Sequence, residues 1–427
     1  MPNRLHKIYT FTAFYDFQYR FLWLSDFCTY VGRWMNLTVL VWLVNELTAS
    51  PLKVSLVGFF MMLPFLLVGV FGGFLADNFN KKQVIFVTQI INLINAAIMA
   101  FFLLIDAIQY WHSYICIFVV GITWALDMSS RRSLIFDLIG RKNLANALAL
   151  DVMGVHLSKV IGPAIGGLLI ALFLNVFSSY IFLTILYLLT IFSVSFINIR
   201  NPAHPKQVLL EFFKYNTVVE SVKKVFSDIL EAFNYAIHQK SILSVLIITT
   251  IMNIFLFPYL PLIPVIAKDV LHVGPFLMGL LISIDGLGAL SGSTIIASKS
   301  DLKYQGRIYV FGSLLAVIAL FIFSFSNWYY SSLILLLLVG AGCSGFATMQ
   351  ATITLGVAED KVKGRTFGIV QLCIGTAPIG NLFLGKIASV YGPVSALVTS
   401  STIGFCLIVI SIILIPSILE KNLVPLE

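Results

Sequence analysis

LVGFFMMLPFLLVGVFGGFLADNFNKK, residues Leu56 to Lys82, is an apolar run that stops abruptly at an aspartate and two lysines. It is long enough to cross the bilayer core of about 30 Å, which takes roughly 20 helical residues. A second stretch, LMGLLISIDGLGALSGSTIIASKSDLKYQGR from Leu277 to Arg307, has the same plan: a glycine-bearing span that opens into a short loop with an aspartate and basic residues. LIGRKNLANALAL (Leu138 to Leu150) and VAEDKVKGRTFGIV (Val357 to Val370) correspond likewise, each a polar loop opening the fifth span of its half. The chain reads as a duplicated set of membrane helices, and parallel six-helix repeats are a transporter plan.

Composition supports the same solvent. Of the 427 residues, 59% are hydrophobic and 11% charged, and mean hydropathy is +0.97; a soluble domain is about 45–50% apolar and about 25% charged. Apolar runs bounded by charge or turn residues place spans near 20–46, 54–76, 83–105, 112–133, 146–173 and 176–199. A second set follows near 241–266, 274–297, 306–326, 328–352, 366–388 and 393–416. The expected fold is an all-α membrane protein, twelve transmembrane helices in two six-helix pseudo-symmetric bundles, 1–199 and 241–427. The polar stretch 200–240 links them. Its second part keeps Val219, Val222, Phe226, Ile229, Leu230, Phe233 and Ile237 on one helical face, which predicts an amphipathic helix on the inner leaflet.

The net charge of +8 does not gather on one face, as nucleic-acid binding requires, but recurs between spans. Of the 27 lysines and arginines, 22 fall in segments or at span ends on the side of the termini, only Lys53 and Lys268 fall in loops on the other side, and Arg33, Lys159 and Lys386 lie farther inside spans. By the positive-inside rule both termini are cytoplasmic. The first span, too long for the core of a cleavable signal, is retained. The cysteines Cys28, Cys116, Cys343, Cys373 and Cys406 lie in apolar segments without metal-ligand spacing, and no metal or cofactor is expected.

The loop after the second span, Gly73-Phe-Leu75-Ala76-Asp77-Asn78-Phe79-Asn80-Lys81-Lys82, resembles the G-x-L-A-D-R-x-G-R-R signature of the major facilitator superfamily, with Asn78 and Asn80 in place of the usual arginine and glycine. Gly162-Pro163-Ala164-Ile165-Gly166-Gly167 in the fifth span resembles the G-P-x-x-G-G element of its exporters. The run from Arg141 through Gly167-Leu-Leu, the opening Leu22-Trp23-Leu24 and the segment Leu43 to Pro51 are similar to the subgroup of enterobactin exporters and macrolide efflux pumps. The resemblance implies a multi-pass protein of the bacterial inner membrane, a monomer, with small-molecule cargo and protons as coupling ion.

Physical roles follow for these residues. Asp77 at a span's end is placed to cap the positive N-terminus of the eleventh helix, with Lys81, Lys82, Arg131 and Arg132 as candidate cations of a latch between halves. Gly162, Gly166 and Gly167 permit close helix approach, and Pro163 removes one backbone donor, so that helix is a candidate hinge.

Four ionisable residues lie deep in spans, where insertion costs at least about 2.5–3.5 kcal/mol and a function is the default reading. Arg33 is thirteen residues past Arg20, about 20 Å into the first span. Asp26 lies two turns before it on the same face and is its expected partner, directly or through water. Lys159, one turn after His156, is central in the fifth span, and Asp285 in the eighth. Arg33 and Lys159 are candidates for holding an anionic group of the substrate, Asp26 and Asp285 for carrying a proton. In the seventh span Asn253 precedes Pro258, Pro261 and Pro264, which must interrupt the hydrogen-bond ladder, and Asn253 is a candidate lining residue.

The chain is thus expected to be a proton-coupled exporter of a small organic molecule, siderophore or drug-like. The alternatives are an importer of a siderophore or nutrient, and a lipid-handling membrane protein. The absence of HExxH, GxSxG and Walker motifs speaks against an enzyme and against ATP as energy source.

Overall fold

The computed structural model describes residues 9–78, 80–198, 233–298, 303–359 and 363–421, with the side chains of 9–11, 68–78, 141, 142, 145, 363–365 and 367 excepted. The amphipathic helix expected in the linker falls outside these residues, apart from a helical turn at 233–238.

Among the described residues twelve long helices run through the molecule. In the first half they are α1 (Phe17–Thr48), α2 (Pro51–Asn78), α3 (Lys81–Leu104), α4 (Tyr110–Gly140), α5 (Asn146–Phe173) and α6 (Phe177–Ser195). In the second they are α7 (Lys240–Asp269), α8 (Pro275–Ala297), α9 (Gln305–Phe323), α10 (Tyr329–Val357), α11 (363–391) and α12 (393–414). Ten segments are long and apolar enough to span by composition alone; one of them, Gly368–Leu414, bends at Gly392 and supplies two crossings. The spans read from the sequence are found with ends moved by a few residues. The largest change is α4, which runs on to Gly140.

Local chemistry sets the breaks. Asp16 opens α1 by accepting from the backbone N–H groups of Gln18 at 2.8 Å and Tyr19 at 3.0 Å, and Asn80 opens α3 in the same way. Between α4 and α5 the backbone turns at Gly140 with φ 65°, and between α11 and α12 at Gly392 with φ 85°; both lie where a side chain is disfavoured. The proline-rich stretch of α7 is split into helix Lys240–Phe255, a 3₁₀ turn Phe257–Leu262 and helix Ile263–Asp269. Ser400 of α12 donates to the carbonyl of Phe255 at 2.6 Å, meeting a backbone acceptor at this break.

The halves meet along two seams, α5 against α8 and α2 against α11. Backbone lies on backbone at the first of these. A side chain at Gly167 would strike the Pro275 carbonyl and Gly279, and one at Gly279 would strike the Pro163 carbonyl. Ser283 of α8 donates to the Val160 carbonyl of α5 at 2.6 Å. On the other seam Gly58 lies against Asn381 and Pro261, and Gly385 against Ser55. These contacts, with the exposed Lys268–Glu46 ion pair at 2.7 Å, close the molecule on the face away from its termini.

Gly167→Val puts methyl groups into the Pro275 carbonyl, so the α5–α8 seam should not close in this arrangement. Spin labels at Phe173 and Phe276 should then sit farther apart than in the parent protein by pulsed EPR in nanodiscs; an unchanged distance would show that the seam does not depend on this approach.

Candidate functional site

Two buried clusters of charge occupy the helix interior. The first joins α1 to α4. Asp26 and Arg33 stand two turns apart on α1, Asp127 and Arg131 one turn apart on α4, and all four are almost fully buried. Arg33 Nη2 donates to Asp127 Oδ2 at 2.6 Å, and Arg131 Nε to the same oxygen at 2.7 Å. Arg131 Nη1 pairs with Asp26 and also donates to Ser25 Oγ at 3.0 Å. Signs therefore alternate along the helix pair as Asp26, Arg131, Asp127, Arg33. The set is neutral, as an interior surrounded by lipid requires.

This arrangement corrects the expected partnership of Asp26 with Arg33: α4 inserts an opposite charge beside each, which two turns of one helix do not bring within reach. Arg131, a latch candidate by sequence, is part of this network. Asp127 was missed. Its signal was a carboxylate in an apolar run with an arginine four residues on, a spacing that faces both side chains the same way.

The guanidinium of Arg33 lies over the rings of Tyr30, 5.2 Å away, and Trp124, 5.4 Å away. Such contacts partly compensate a cation held away from water. Arg33 Nε and Nη1, Asp127 Oδ1, Trp124 Nε1 and Tyr187 OH have no hydrogen-bond partner among the described residues.

The second cluster bridges the halves. Lys159 Nζ of α5 stands 2.5 Å from Asp285 Oδ2 of α8; the Asp285 side chain is 1% exposed and that of Lys159 15%. Small residues bring this about. Gly286 lies on the Lys159 backbone and Gly340 of α10 on the Asp285 carbonyl, so α8 is clamped between α5 and α10 at this level. The same ammonium lies 5.3 Å over the ring of Trp34. Trp34 meets Trp124 edge-on at 6.3 Å, and Phe65 meets Trp124 at 5.2 Å. These three half-buried rings connect the neighbourhood of Lys159 to that of Arg33. Tyr259, from the break in α7, lies within electrostatic range of Asp285, and His156 within range of both members of the pair.

The other candidates are placed as follows. Asn253 is buried and donates to the Thr249 carbonyl of its own helix at 2.9 Å. Gly162 and Gly166 lie against α1 at Val31, Met35 and Val39, while Gly167 serves the α5–α8 seam; the only non-helical dihedrals in Tyr110–Phe173 are at Gly140, so α5 runs on through Pro163. Lys81 pairs with Asp137 at 2.6 Å and Lys82 donates to the Ser195 carbonyl at 3.0 Å, both within the first half. Arg132 is exposed. The side chain of Asp77 lies outside the described ones.

Asp127→Leu leaves Arg33 and Arg131 with one carboxylate between them, and breaking a buried pair costs about 3–5 kcal/mol. The double variant Arg33→Met with Asp127→Leu keeps the neutral Asp26–Arg131 pair. It should therefore melt at a higher temperature than Asp127→Leu alone, measured in detergent; equal or lower melting would show that the network is not governed by charge balance.

Comparison with known proteins agrees with this fold. The staphyloferrin A transporter of Staphylococcus aureus is 23% identical over 407 residues, covering 92% of this chain and 94% of that protein. The enterobactin exporter EntS of Shigella flexneri is 24% identical over 82% of this chain and 79% of its own length. Among solved structures, a POT family transporter in complex with a thioalcohol-conjugated peptide superposes with a TM-score of 0.76 at 11% identity, over 94% of this chain and 96% of that one. The family model described as transmembrane secretion effector matches residues 8–427. This chain, a multi-pass membrane protein, therefore belongs to the transmembrane secretion effector family of major facilitator superfamily transporters.

Proposed function

We propose that the protein exports a small, oxygen-rich organic molecule of the siderophore type across the bacterial inner membrane, in exchange for protons, with both termini cytoplasmic. One observation carries this reading: a buried ion pair, Lys159–Asp285, that links the two halves at the level of the α5–α8 seam. The similarity to an enterobactin exporter and a staphyloferrin A transporter supports the cargo class, and the secretion family supports the direction.

The halves cannot part at this level while the pair is intact, because separating it leaves two uncompensated charges in a medium that penalises each by at least about 2.5–3.5 kcal/mol. Two events relieve it. A proton on Asp285 removes the negative member, and Lys159 keeps its contact with Trp34. Alternatively, a substrate inserts between the two, giving an acceptor oxygen to Lys159 and a hydroxyl or other donor to Asp285, and total charge stays even. Substrate and proton thus compete for one carboxylate. Competition for a single site, exposed to one side at a time, is what couples export of one to entry of the other.

The remaining candidates take supporting roles. Arg33, held by Asp127, presents its unpartnered N–H groups beside Trp124 for a second polar contact with the cargo. Asp26 is engaged by Arg131, which leaves Asp285 as the proton carrier. Of the four latch cations, three have partners in their own half, so the latch with Asp77 falls to Arg132. Asn253 stands one helix turn before the broken part of α7, and the glycines around Pro163 allow α5 to rock against α1 and α8.

Asp285→Asn in proteoliposomes should abolish enterobactin- or staphyloferrin A-dependent proton movement, while counterflow of labelled against unlabelled substrate, which needs no net proton, persists. Proton movement equal to that of the parent protein would remove Asp285 from the coupling. Absence of transport of both probes by the parent protein would overturn the cargo class.

A further inference from the structure

On the outer side of the first half, where α3 begins and α6 ends, lies a cavity of about 640 Å³ lined by Asn80, Lys82, Gln83, Phe86, Val87 and Ser195. Its volume falls within the range of about 300–1,000 Å³ usual for small-molecule sites. It faces the bilayer and lies apart from both charge clusters: Val87 is 53% exposed, and next to Ser195 on α6 Phe192 and Phe196 are exposed too.

Polarity is graded along one face of α3. Lys82 and Gln83 occupy its first turn, and Phe86 and Val87 lie four residues on, so each apolar residue sits beneath a polar one, about 6 Å deeper at 1.5 Å per residue. That is the distance over which headgroups give way to acyl chains at a membrane interface. The charge at the mouth is not neutralised. Lys82 Nζ donates to the Ser195 carbonyl at 3.0 Å, a neutral acceptor, and no carboxylate among the described residues pairs with it. Lys81 beside it is already neutralised by Asp137 at 2.6 Å. A phosphate oxygen would give Lys82 a charge-assisted bond, stronger than its bond to the carbonyl.

We propose that this groove binds one anionic phospholipid of the leaflet on the side of the termini. Its phosphate sits on the Lys82 ammonium and the Gln83 amide, and one acyl chain lies over Phe86 and Val87 between α3 and α6. A free phosphate would leave the apolar floor uncovered, and a lipid of zero net charge would leave the site with a surplus positive charge.

Native mass spectrometry of the purified full chain, equilibrated with mixtures of palmitoyl-oleoyl phosphatidylglycerol and phosphatidylcholine, tests this. The parent protein should retain phosphatidylglycerol preferentially. Lys82→Gln should reduce that preference about fivefold, the equivalent of about 1 kcal/mol for one lysine at a membrane surface. Lys82→Arg should preserve it, Lys81→Gln should leave it unchanged, and Val87→Gln should weaken retention of both lipids alike. Equal preference in the parent and Lys82→Gln, or displacement of the lipid by excess inorganic phosphate, would overturn the proposal. Should Lys82→Gln fail to fold, undiminished lipid retention by Val87→Gln would overturn it as well.

Discussion

The penalty for an unpaired charge in hydrocarbon governs this molecule. Asp26, Arg33, Asp127, Arg131, Lys159 and Asp285 each have an opposite charge within 4 Å, and aromatic rings lie over Arg33 and Lys159. The α1–α4 network meets the demand inside one half by alternating signs. The Lys159–Asp285 pair meets it only when the two halves are together. The first cluster therefore lies wholly within one half, while the second joins α5 to α8 across the seam. In the proposed exchange Asp285 alternates between pairing with Lys159 and carrying a proton, and the same rule motivates that proposal.

The backbone imposes a parallel demand. Helices keep their polar groups internally paired, so the chain leaves helical geometry only where another group takes over or where a turn lies at the surface. The break in α7 has Ser400 against the Phe255 carbonyl, and the turns at Gly140 and Gly392 lie at helix ends. The α5–α8 seam brings backbone onto backbone at Gly167 and Gly279, while on the α2–α11 seam Gly58 and Gly385 meet the side chains of Asn381 and Ser55. These seams suit two rigid bundles that rock, with few directional interactions to break beyond the Lys159–Asp285 pair, the Ser283 hydrogen bond and the exposed Lys268–Glu46 pair.

Much of the architecture was legible in the chain because lipid enforces it locally. A run of about 20 apolar residues has one favourable fate, whatever its neighbours. Twelve spans, their division into two sets and the interruption of α7 by its prolines all follow from short stretches read singly. The depth of Arg33, Lys159, Asp26 and Asp285 was legible for the same reason. What those charges touch was not. Asp26 and Arg33 share a helix face seven residues apart, so they look like partners, yet Arg131 and Asp127 of α4, about a hundred residues away in sequence, take up both. Lys159 and Asp285, 126 residues apart, were each recognised as out of place without being recognised as a pair.

By itself, then, the sequence determined the solvent, the helices, the duplicated halves and which charges must be satisfied. Each of these depends on the free energy of a short segment in lipid. Only the tertiary structure decided how the charges are satisfied: which are locked within one half and which bridge the two. Pairing depends on the relative rotation and depth of two packed helices, set by glycines such as Gly286 and Gly340 on opposite sides of a contact, and no single segment carries that information.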